Sequence, residues 1–472
     1  MPFYENNYPR GKTSPLSFPQ RRIWYLQHLY DDDVMYNTKQ CFYVDGPIDM
    51  EAFHSALKLL ALRHESLRSR FLTTTDGSPC QEIDNNPDIQ IDYVDLRKTP
   101  ESDRLVRSRQ IIQEALVKPF VLGIDLMMRV VLVRLTVTEA MLLFVKHHII
   151  TDYWSRNRIF PAEISVAYRA LTRGETPVLP PLPWHYSDFA EKQVRSFTLD
   201  AVLTRRQYWR DFFAGAVCSE PISEAWAQPP SQESPPSYGM TWQCIPADAV
   251  GHCRSLAEGH ACTLFVVVLS AVALLARFLY GHSRVLLCLA SANRQHPGAE
   301  QVLGCFFTNI IVSLNIGSGQ KLGEVIQDVK TTFAEARKQQ DMPFEMFADD
   351  LALPCTRQRK PPYRIYISYH PSADDVSFSL PGARLTPVHV STGRNTHEDI
   401  VFNFWEKRSE GGLSLDLEWL CRNDLFDPDG RSKLVTMLES LITHLHENPD
   451  RSVGKLHDVL SDDGSLFSLS SR

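Results

Sequence analysis

Two apolar runs, residues 126–135 and 141–145, flank a short polar turn, and this pair constrains the fold more than any other stretch. Short apolar runs joined by a turn predict two buried strands, so we expect a hairpin inside a sheet. His147 and His148 follow the second run after Lys146, and Asp152 lies four residues further on. Successive side chains of a strand point to opposite faces, so only one histidine can face a given cavity. The pattern predicts one working and one supporting histidine.

A neutral imidazole that titrates near pH ~6.5 can accept a proton from an attacking amine or alcohol, or hydrogen-bond to it. The alternative is structural, because a histidine beside an apolar strand is more often a satisfied core group than a base. A metal site is the weaker interpretation, since two ligands on opposite faces of one strand cannot easily share an ion. Nearby Cys or His at helical ligand spacing is also missing, so we expect no metal.

The length of 472 residues exceeds that of one ordinary core, so we predict two lobes. The proline-rich segment 176–183 cannot continue a helix or a central strand, and it places the end of the first lobe near residue 180. The prediction is a first lobe over 15–180, a second lobe over 181–460, and flexible ends at 1–14 and 461–472. Strands alternate with amphipathic helices along the chain, which indicates an α/β fold.

Two further stretches bear on the fold. A helix predicted over residues 50–68 closes with the charged sequence RHESLRSRF (63–71), which we interpret as a solvated or locally paired face. The stretch 263–280 is apolar nearly all round, but its uninterrupted part, 264–276, is shorter than the ~20 residues that span a bilayer. We therefore predict a buried core helix there.

The charge and cysteine content narrow the partners and the compartment. A formal net charge of −7 argues against nucleic acid and anionic membranes as partners. The ten cysteines include no Cys-x-x-Cys pair, and the N-terminus lacks an apolar signal core. These features favour a cytoplasmic protein with reduced thiols. Arg205, Arg206 and Arg210 are candidates for contact with an acidic partner, with a solvated basic face as the alternative.

Several stretches occur in the same order as the motifs of one family. They are SFPQRRIWYL (17–26), RHESLRSRF (63–71), HHIITD (147–152), YSDFA (186–190), ANR (292–294), LGCFFTN (303–309) and QDMPFE (340–345). Together they make residues 15–460 resemble the condensation domains of nonribosomal peptide synthetases. The family's HHxxxDG signature alone is shared with related acyltransferases and epimerization domains, whereas the ordered set is specific.

The resemblance implies a V-shaped pseudo-dimer of two lobes, each similar to chloramphenicol acetyltransferase, with a central tunnel. It also implies a donor and an acceptor peptidyl carrier protein as partners, together with other synthetase modules. Their phosphopantetheine arms would present the substrates, so the domain would bind no cofactor itself. The implied activity is formation of an amide (peptide) bond, in which the acceptor amine attacks the donor acyl or peptidyl thioester.

The resemblance also implies roles for single residues. His148 matches the second histidine of the signature, which would position or deprotonate the acceptor amine, and His147 would support it. Asp152 matches the motif aspartate, which in this family looks like a structural group held in an ion pair, and Arg294 is the candidate partner. Asn309 is a candidate tunnel residue, with a loop-stabilising amide as the alternative.

One departure from the signature is Tyr153, which occupies the position of its glycine. Tyrosine adds bulk and disfavours φ > 0, so this side chain either points into the tunnel and narrows or closes it, or points into the lobe interface. Two alternatives to an active condensation domain therefore stay open: a non-catalytic platform that recruits a tailoring enzyme or a carrier, and a stand-alone acyltransferase with a free amine or alcohol acceptor. Epimerization is less favoured, because no additional acidic residue resembles that subgroup's second base.

Overall fold

The computed structural model describes residues 11–29, 34–214, 237–342, 344–347, 351, 361–371, 378–390, 396 and 398–462. These residues divide into two compact units. The described residues of 1–202, 292–307 and 374–395 form unit 1, and those of 203–291, 308–373 and 396–472 form unit 2.

Strands and helices alternate along the described chain. In chain order the strands are β1 (Lys12–Pro15), β2 (Asn37–Asp45), β3 (Ser69–Thr73), β4 (Pro79–Ile83), β5 (Ile91–Asp95), β6 (Met128–Arg134), β7 (Glu139–His147), β8 (Tyr238–Ile245), β9 (Arg284–Ser291), β10 (Thr308–Asn315), β11 (Ile365–His370), β12 (Arg384–Pro387), β13 (Ile400–Ser409) and β14 (Gly412–Arg422). The helices are α1 (Phe18–Leu29), α2 (Met50–Arg63), α3 (Glu101–Leu116), α4 (Phe160–Leu171), α5 (Tyr186–Arg195), α6 (Leu199–Phe213), α7 (Ala247–Gly259), α8 (Leu264–Tyr280), α9 (Leu322–Arg337), α10 (Pro428–Glu447) and α11 (Val453–Asp462). Both element types occur in both units, which confirms the predicted α/β class.

The central sheet of unit 1 has the strand order β12-β2-β7-β6-β5, and a smaller sheet has the order β1-β4-β3. β6 and β7 are antiparallel neighbours, which confirms the hairpin predicted from the two apolar runs. Phe144 of β7 packs against Phe53 of α2 and Phe160 of α4, with ring centroids 6.3 and 5.2 Å away. The register places His147 at the end of β7, opposite Asn37 of β2. The histidine pair therefore emerges from the middle of a packed sheet.

Helix α2 ends at Arg63, short of the predicted end at residue 68. His64 takes an extended conformation (φ −106°, ψ 110°), and a 3-10 turn and strand β3 follow it. The charged groups here are not solvated: Glu65 is 7% exposed, and Arg63 and His64 contact the Glu163 carboxylate of α4 at 3.0 and 2.7 Å. The prediction of a solvated or locally paired face is wrong, because the side chains are largely buried and Glu163 lies 99 residues beyond His64 in the chain.

The unit boundaries correct the predicted lobes. Unit 1 includes helix α5 and the later segment 292–307, because Tyr186, Phe189, Leu303 and Phe306 all belong to its hydrophobic core. Strand β12 likewise pairs with β2 of the same unit. A proline-rich segment can interrupt a helix without ending a packing unit, so a single boundary near residue 180 does not describe the fold.

The predicted flexible ends also need correction. Residues 12–15 form strand β1, which pairs antiparallel with β4, so the predicted flexible segment 1–14 extends too far. At the other end, α11 continues to Asp462. Residues 1–10 and 463–472 lie outside the described residues.

The sheet of unit 2 has the strand order β10-β9-β11-β13-β14-β8. Helix α8 lies in the core of this unit, where Val267, Leu269 and Leu275 are fully buried, which confirms the predicted core helix. Of the described helices, none is by itself long and apolar enough to cross a bilayer; α7 and α8 meet such a criterion only as a pair, bent by 104°.

Candidate active site

His147 ends β7 and is fully buried, with its ring centroid 5.9 Å from that of Tyr36 and 6.1 Å from that of Phe120. Its Nδ1 accepts the main-chain N–H of Ile149 at 3.3 Å. The proton therefore sits on Nε2, which faces Gln27 Oε1 at 3.4 Å. Burial lowers the pKa of His147 to about 3, so the ring is neutral. Both ring nitrogens are occupied, which leaves neither available to a substrate.

His148 begins a short 3-10 turn after β7 and is half-buried. Its main-chain N–H donates to the Tyr36 carbonyl at 2.8 Å, and its ring packs against Phe307 with centroids 4.2 Å apart. Nδ1 lies near the residue's own main chain, but no hydrogen bond of acceptable geometry reaches it from the described residues. Burial, followed by the Arg156 guanidinium, lowers the pKa of His148 to about 4. The imidazole is neutral at pH 7.

Asp152 is buried and forms an ion pair with Arg294, the partner expected from the sequence. Nη2 of Arg294 donates to both carboxylate oxygens at 2.8 Å, and the two side chains are 3% and 6% exposed. The main-chain N–H groups of Ser155 (2.7 Å) and Phe306 (3.2 Å) also donate to this carboxylate. In the described residues, no hydrogen bond joins Asp152 to the ring of His148. The carboxylate is therefore held away from the imidazole by donors of its own.

The same network ties the turn after the histidines to the segment around Gly304. Ser155 Oγ donates to the Gly304 carbonyl at 2.9 Å and accepts the Gly304 N–H at 3.1 Å and Arg294 Nη2 at 2.7 Å. Nη1 of Arg294 donates to the main-chain oxygens of Ala299 and Val302. Two segments separated by 149 residues are thereby held against each other within unit 1.

The two predicted tunnel residues lie in different units. Tyr153 is half-buried in unit 1, with the Arg156 guanidinium 5.8 Å from its ring centre. Asn309 lies at the start of β10 in unit 2 and is 5% exposed. Its Nδ2 donates to Glu345 Oε1 and to the Tyr363 hydroxyl, each at 3.3 Å. These contacts are those of a structural amide, and the tunnel roles of both residues stay predictions.

Lys146 of β7 is a buried lysine that was not predicted from the sequence. It is 1% exposed, its Nζ lies 3.4 Å from the Phe160 ring centre, and it donates to Gln40 Oε1 at 3.3 Å. No carboxylate of a described residue lies within ion-pair distance of it, and burial holds its pKa well below the usual range. The sequence did contain a signal for it: Lys146 is a charged residue within an apolar strand and directly precedes the two histidines.

Lys146→Met is expected to raise the free energy of unfolding at pH 7 by on the order of 1 kcal/mol, because burial disfavours the charged form of an amine that water solvates in the unfolded chain. The gain should shrink near about pH 10, where the lysine of the unfolded chain begins to lose its proton. Urea unfolding of both proteins at these two pH values measures it. A variant less stable than the parent at pH 7 would contradict this account.

Gly304→Ala is expected to lower the free energy of unfolding by about 1–3 kcal/mol through overpacking. A Cβ at this position would lie 2.0 Å from Cδ2 of Tyr186, whose ring is buried and whose hydroxyl donates to the Cys305 carbonyl. Gly251→Ala is the matched control, because nothing lies within 4 Å of a Cβ on this exposed residue of α7. The control is expected to stabilise the protein by ~0.5–1 kcal/mol in urea unfolding. Equal effects of the two substitutions would contradict the packing described for Gly304.

The low pKa values of the two histidines predict that stability depends on pH. Both titrate near ~6.5 in the unfolded chain, but in the folded protein His147 titrates at about 3 and His148 at about 4. Between these values the unfolded state binds more protons, so their contribution is full above pH ~6.5 and is lost as the pH falls toward the folded values.

Urea unfolding at pH 7, 6 and 5 measures this dependence, and His148→Gln removes one of the two contributions. The difference in unfolding free energy between parent and variant should change by up to about 1.4 kcal/mol per pH unit below pH ~6. Parallel curves for the two proteins would show that His148 is not held neutral by its surroundings.

Within the described ranges, no group of three or more His, Cys, Asp and Glu side chains is placed to hold a metal ion. The His148 ring itself offers two kinds of chemistry, hydrogen bonding to a nucleophile and acceptance of its proton. Nδ1 is buried and receives no hydrogen bond from the described residues, so Nε2 is the ring nitrogen left to serve a substrate.

Comparison with known proteins identifies the family of the chain. A family model for the condensation domain matches residues 11–464. One of the subunits of linear gramicidin synthase from Brevibacillus parabrevis is 29% identical over 443 residues, which cover 93% of this chain and 6% of that protein. The chain therefore spans a small fraction of this much longer curated relative.

Solved structures share the fold. The X-domain in a complex with OxyB from teicoplanin biosynthesis aligns with a TM-score of 0.79 at 23% identity, over 96% of this chain and 98% of that chain. The first condensation domain of the calcium-dependent antibiotic synthetase, in complex with substrate analogue 3a, aligns with a TM-score of 0.70 at 17% identity, over 94% and 98%. The likeness extends over both units of this chain.

Proposed function

This chain belongs to the condensation-domain family of nonribosomal peptide synthetases, and from that premise we propose that it catalyses amide-bond formation between two carrier-bound substrates. The donor is an acyl or peptidyl thioester, and the acceptor is an amine held as a thioester on a second carrier. The observation that carries the proposal is the half-buried, neutral imidazole of His148 beside an intact Asp152–Arg294 pair.

In the proposed reaction the acceptor nitrogen attacks the donor carbonyl carbon, the new C–N bond forms, and the C–S bond of the donor thioester breaks. The proton lost by the amine passes by way of His148 to the departing thiolate. A pKa of about 4 makes this imidazole a weak base at pH 7. That favours orientation of the neutral amine through a hydrogen bond over full deprotonation before attack. Bringing the two thioesters together supplies the remaining acceleration.

We assign Asp152 a structural role in this reaction. Its oxygens accept hydrogen bonds from Arg294 and from the main chain at Ser155 and Phe306, so it does not orient the imidazole directly. The carboxylate instead fixes the turn that follows His148.

The proposal assigns no cofactor to the domain itself. The reacting groups arrive on the phosphopantetheine arms of a donor and an acceptor carrier protein, and neighbouring synthetase modules supply these carriers.

A non-catalytic recruiting platform is the second candidate, and Tyr153 is the observation that favours it. This side chain replaces the signature's glycine and brings a half-buried ring to the residue after Asp152. The similar X-domain is described in a complex with OxyB from teicoplanin biosynthesis. A comparable role for this chain would be to hold another enzyme beside a carrier-bound substrate.

The test mixes the parent chain with one loaded donor carrier and one loaded acceptor carrier, and follows both carriers by intact-protein mass spectrometry. Amide formation adds the mass of the donor acyl group to the acceptor carrier and removes it from the donor carrier. A parallel reaction with free amine in place of the acceptor carrier tests the stand-alone acyltransferase. Transfer only to the free amine would overturn the carrier-bound acceptor.

Tyr153→Gly separates the two main candidates in the same assay. If the parent is an active condensation domain, transfer occurs with tyrosine in place. Transfer that appears only in Tyr153→Gly would mean that the tyrosine closes the site, and would favour the recruiting platform.

A further inference from the structure

We infer that Phe307 is a positioning residue that orients the His148 imidazole and transmits the order of the Asp152–Arg294 ion pair to it. The inference rests on the proposed function of His148. It concerns how a ring that lacks a hydrogen-bonded partner is kept in one orientation.

Three histidines of unit 1 are held in different ways. His64 Nε2 contacts the Glu163 carboxylate at 2.7 Å, and both ring nitrogens of His147 have partners. Nδ1 of His148 has no hydrogen bond of acceptable geometry from the described residues. Hydrogen bonding therefore fixes the rings of His64 and His147 but not the ring of His148.

An aromatic contact with Phe307 orients the His148 ring in place of a hydrogen bond. The ring centroids of His148 and Phe307 are 4.2 Å apart, and the planes are inclined by 43°. On the described part of the chain, no other aromatic ring packs against His148. An aromatic neighbour at this distance restricts rotation of an imidazole and contributes a favourable tilted contact.

Phe307 is itself held from two directions. The guanidinium of Arg22, which is 5% exposed, lies 4.5 Å from the centre of the Phe307 ring. The preceding residue, Phe306, donates its N–H to Asp152 Oδ2 at 3.2 Å and lies under the Arg294 guanidinium at 4.3 Å. The ion pair therefore fixes the backbone one residue before the ring that packs on His148.

This chain of contacts explains how a carboxylate that does not touch the imidazole can act on it. Asp152 and Arg294 hold residue 306, residue 306 sets the position of Phe307, and Phe307 sets the plane of the His148 ring. Loss of the aromatic ring should therefore affect turnover more than substrate binding.

The test compares Phe307→Leu, Phe307→Tyr and a matched control, Phe333→Leu. Phe333 is a half-buried ring on α9 of unit 2 that packs against Phe265 with centroids 5.2 Å apart. In the carrier assay, Phe307→Leu is expected to lower kcat about 10-fold to 100-fold with KM unchanged, as for a misplaced catalytic group. Phe307→Tyr, which keeps the ring, and Phe333→Leu should stay within about twofold of the parent.

A second readout follows His148 directly by NMR of protein labelled with ¹³C at histidine Cε1, with His148→Gln used to assign the signal. In Phe307→Leu the ring gains access to water, so the pKa of His148 should rise by about one unit or more from its low value. Arg156, Arg22, Asp152 and His147 are the charged or titratable groups that act on this ring or adjoin it, and all stay in place. In Phe307→Tyr the pKa should not move.

The two readouts separate this inference from the proposed function. A parent that transfers no acyl group overturns the function, while the NMR titration still decides the role of Phe307. An unchanged His148 titration in Phe307→Leu overturns the inference whatever the activity. Should Phe307→Leu fail to fold, Phe307→Met removes the ring with a more flexible side chain and gives the same comparison with Phe307→Tyr.

Discussion

Asp152→Ala is expected to lower the free energy of unfolding by about 3–5 kcal/mol, because it leaves a buried guanidinium without its counter-ion. Arg294 is 6% exposed and directs Nη2 at both oxygens of Asp152, each at 2.8 Å. The substitution also removes the acceptor for the main-chain N–H groups of Ser155 and Phe306. Urea unfolding at pH 7 measures the loss.

Asp95→Ala is the matched control for this prediction. Asp95 contacts Arg97 at 2.7 Å, but the two side chains are 36% and 50% exposed, so solvent and salt screen the pair. Its loss should leave stability nearly unchanged. The double variant Asp152→Ala/Arg294→Met provides a further check, because removing both charges should be less harmful than the sum of the two single changes. Additive losses would contradict a coupled buried pair.

His148→Ala is expected to slow amide formation by ~10²–10⁴-fold, the contribution typical of a positioned acid–base group. Folding should be little affected, since the ring is half-buried and Nδ1 carries no hydrogen bond from the described residues. Single-turnover transfer between loaded carriers measures the rate, and urea unfolding measures stability in parallel.

His147→Ala is the informative comparison for His148→Ala. This ring is fully buried and hydrogen-bonded at both nitrogens, so its removal should reduce stability. The two substitutions are thus expected to have different effects. His148→Ala folds but fails to react, whereas His147→Ala folds less well. If His148→Ala reacted at the parent rate, the imidazole would have no part in the reaction.

Local sequence patterns were sufficient for the elements that carry the site. Apolar runs joined by a turn predicted the β6–β7 hairpin. Side-chain alternation along one strand was expected to separate His147 from His148, but β7 ends at His147 and His148 begins the following 3-10 turn, so that reasoning does not apply to His148. The ordered motifs singled out Arg294 as the partner of Asp152, and the two residues form a buried ion pair. The predictions of the hairpin and of the ion pair succeeded because each depends on neighbours in sequence or on a motif with a fixed order.

Contacts between residues far apart in the chain could not be predicted from the sequence in the same way. The charged stretch after α2 resembles a solvated face, yet Arg63 and His64 contact Glu163 on α4. The segment around Phe306 joins the core of unit 1 although it follows a helix and a strand of unit 2. Only the packing of the folded chain determines such partners, and the position of Phe307 against His148 is a result of the same kind.

The central claim is that this chain joins two carrier-bound substrates by way of His148. Its most direct measurement is the intact mass of the acceptor carrier after reaction with a loaded donor carrier, with the parent and with His148→Ala at equal folded concentration. We predict that the acceptor gains the mass of the donor acyl group with the parent and that the gain is lost or strongly slowed with His148→Ala. Equal gain with both proteins, or no gain with the parent under any pairing of loaded carriers, would contradict the claim.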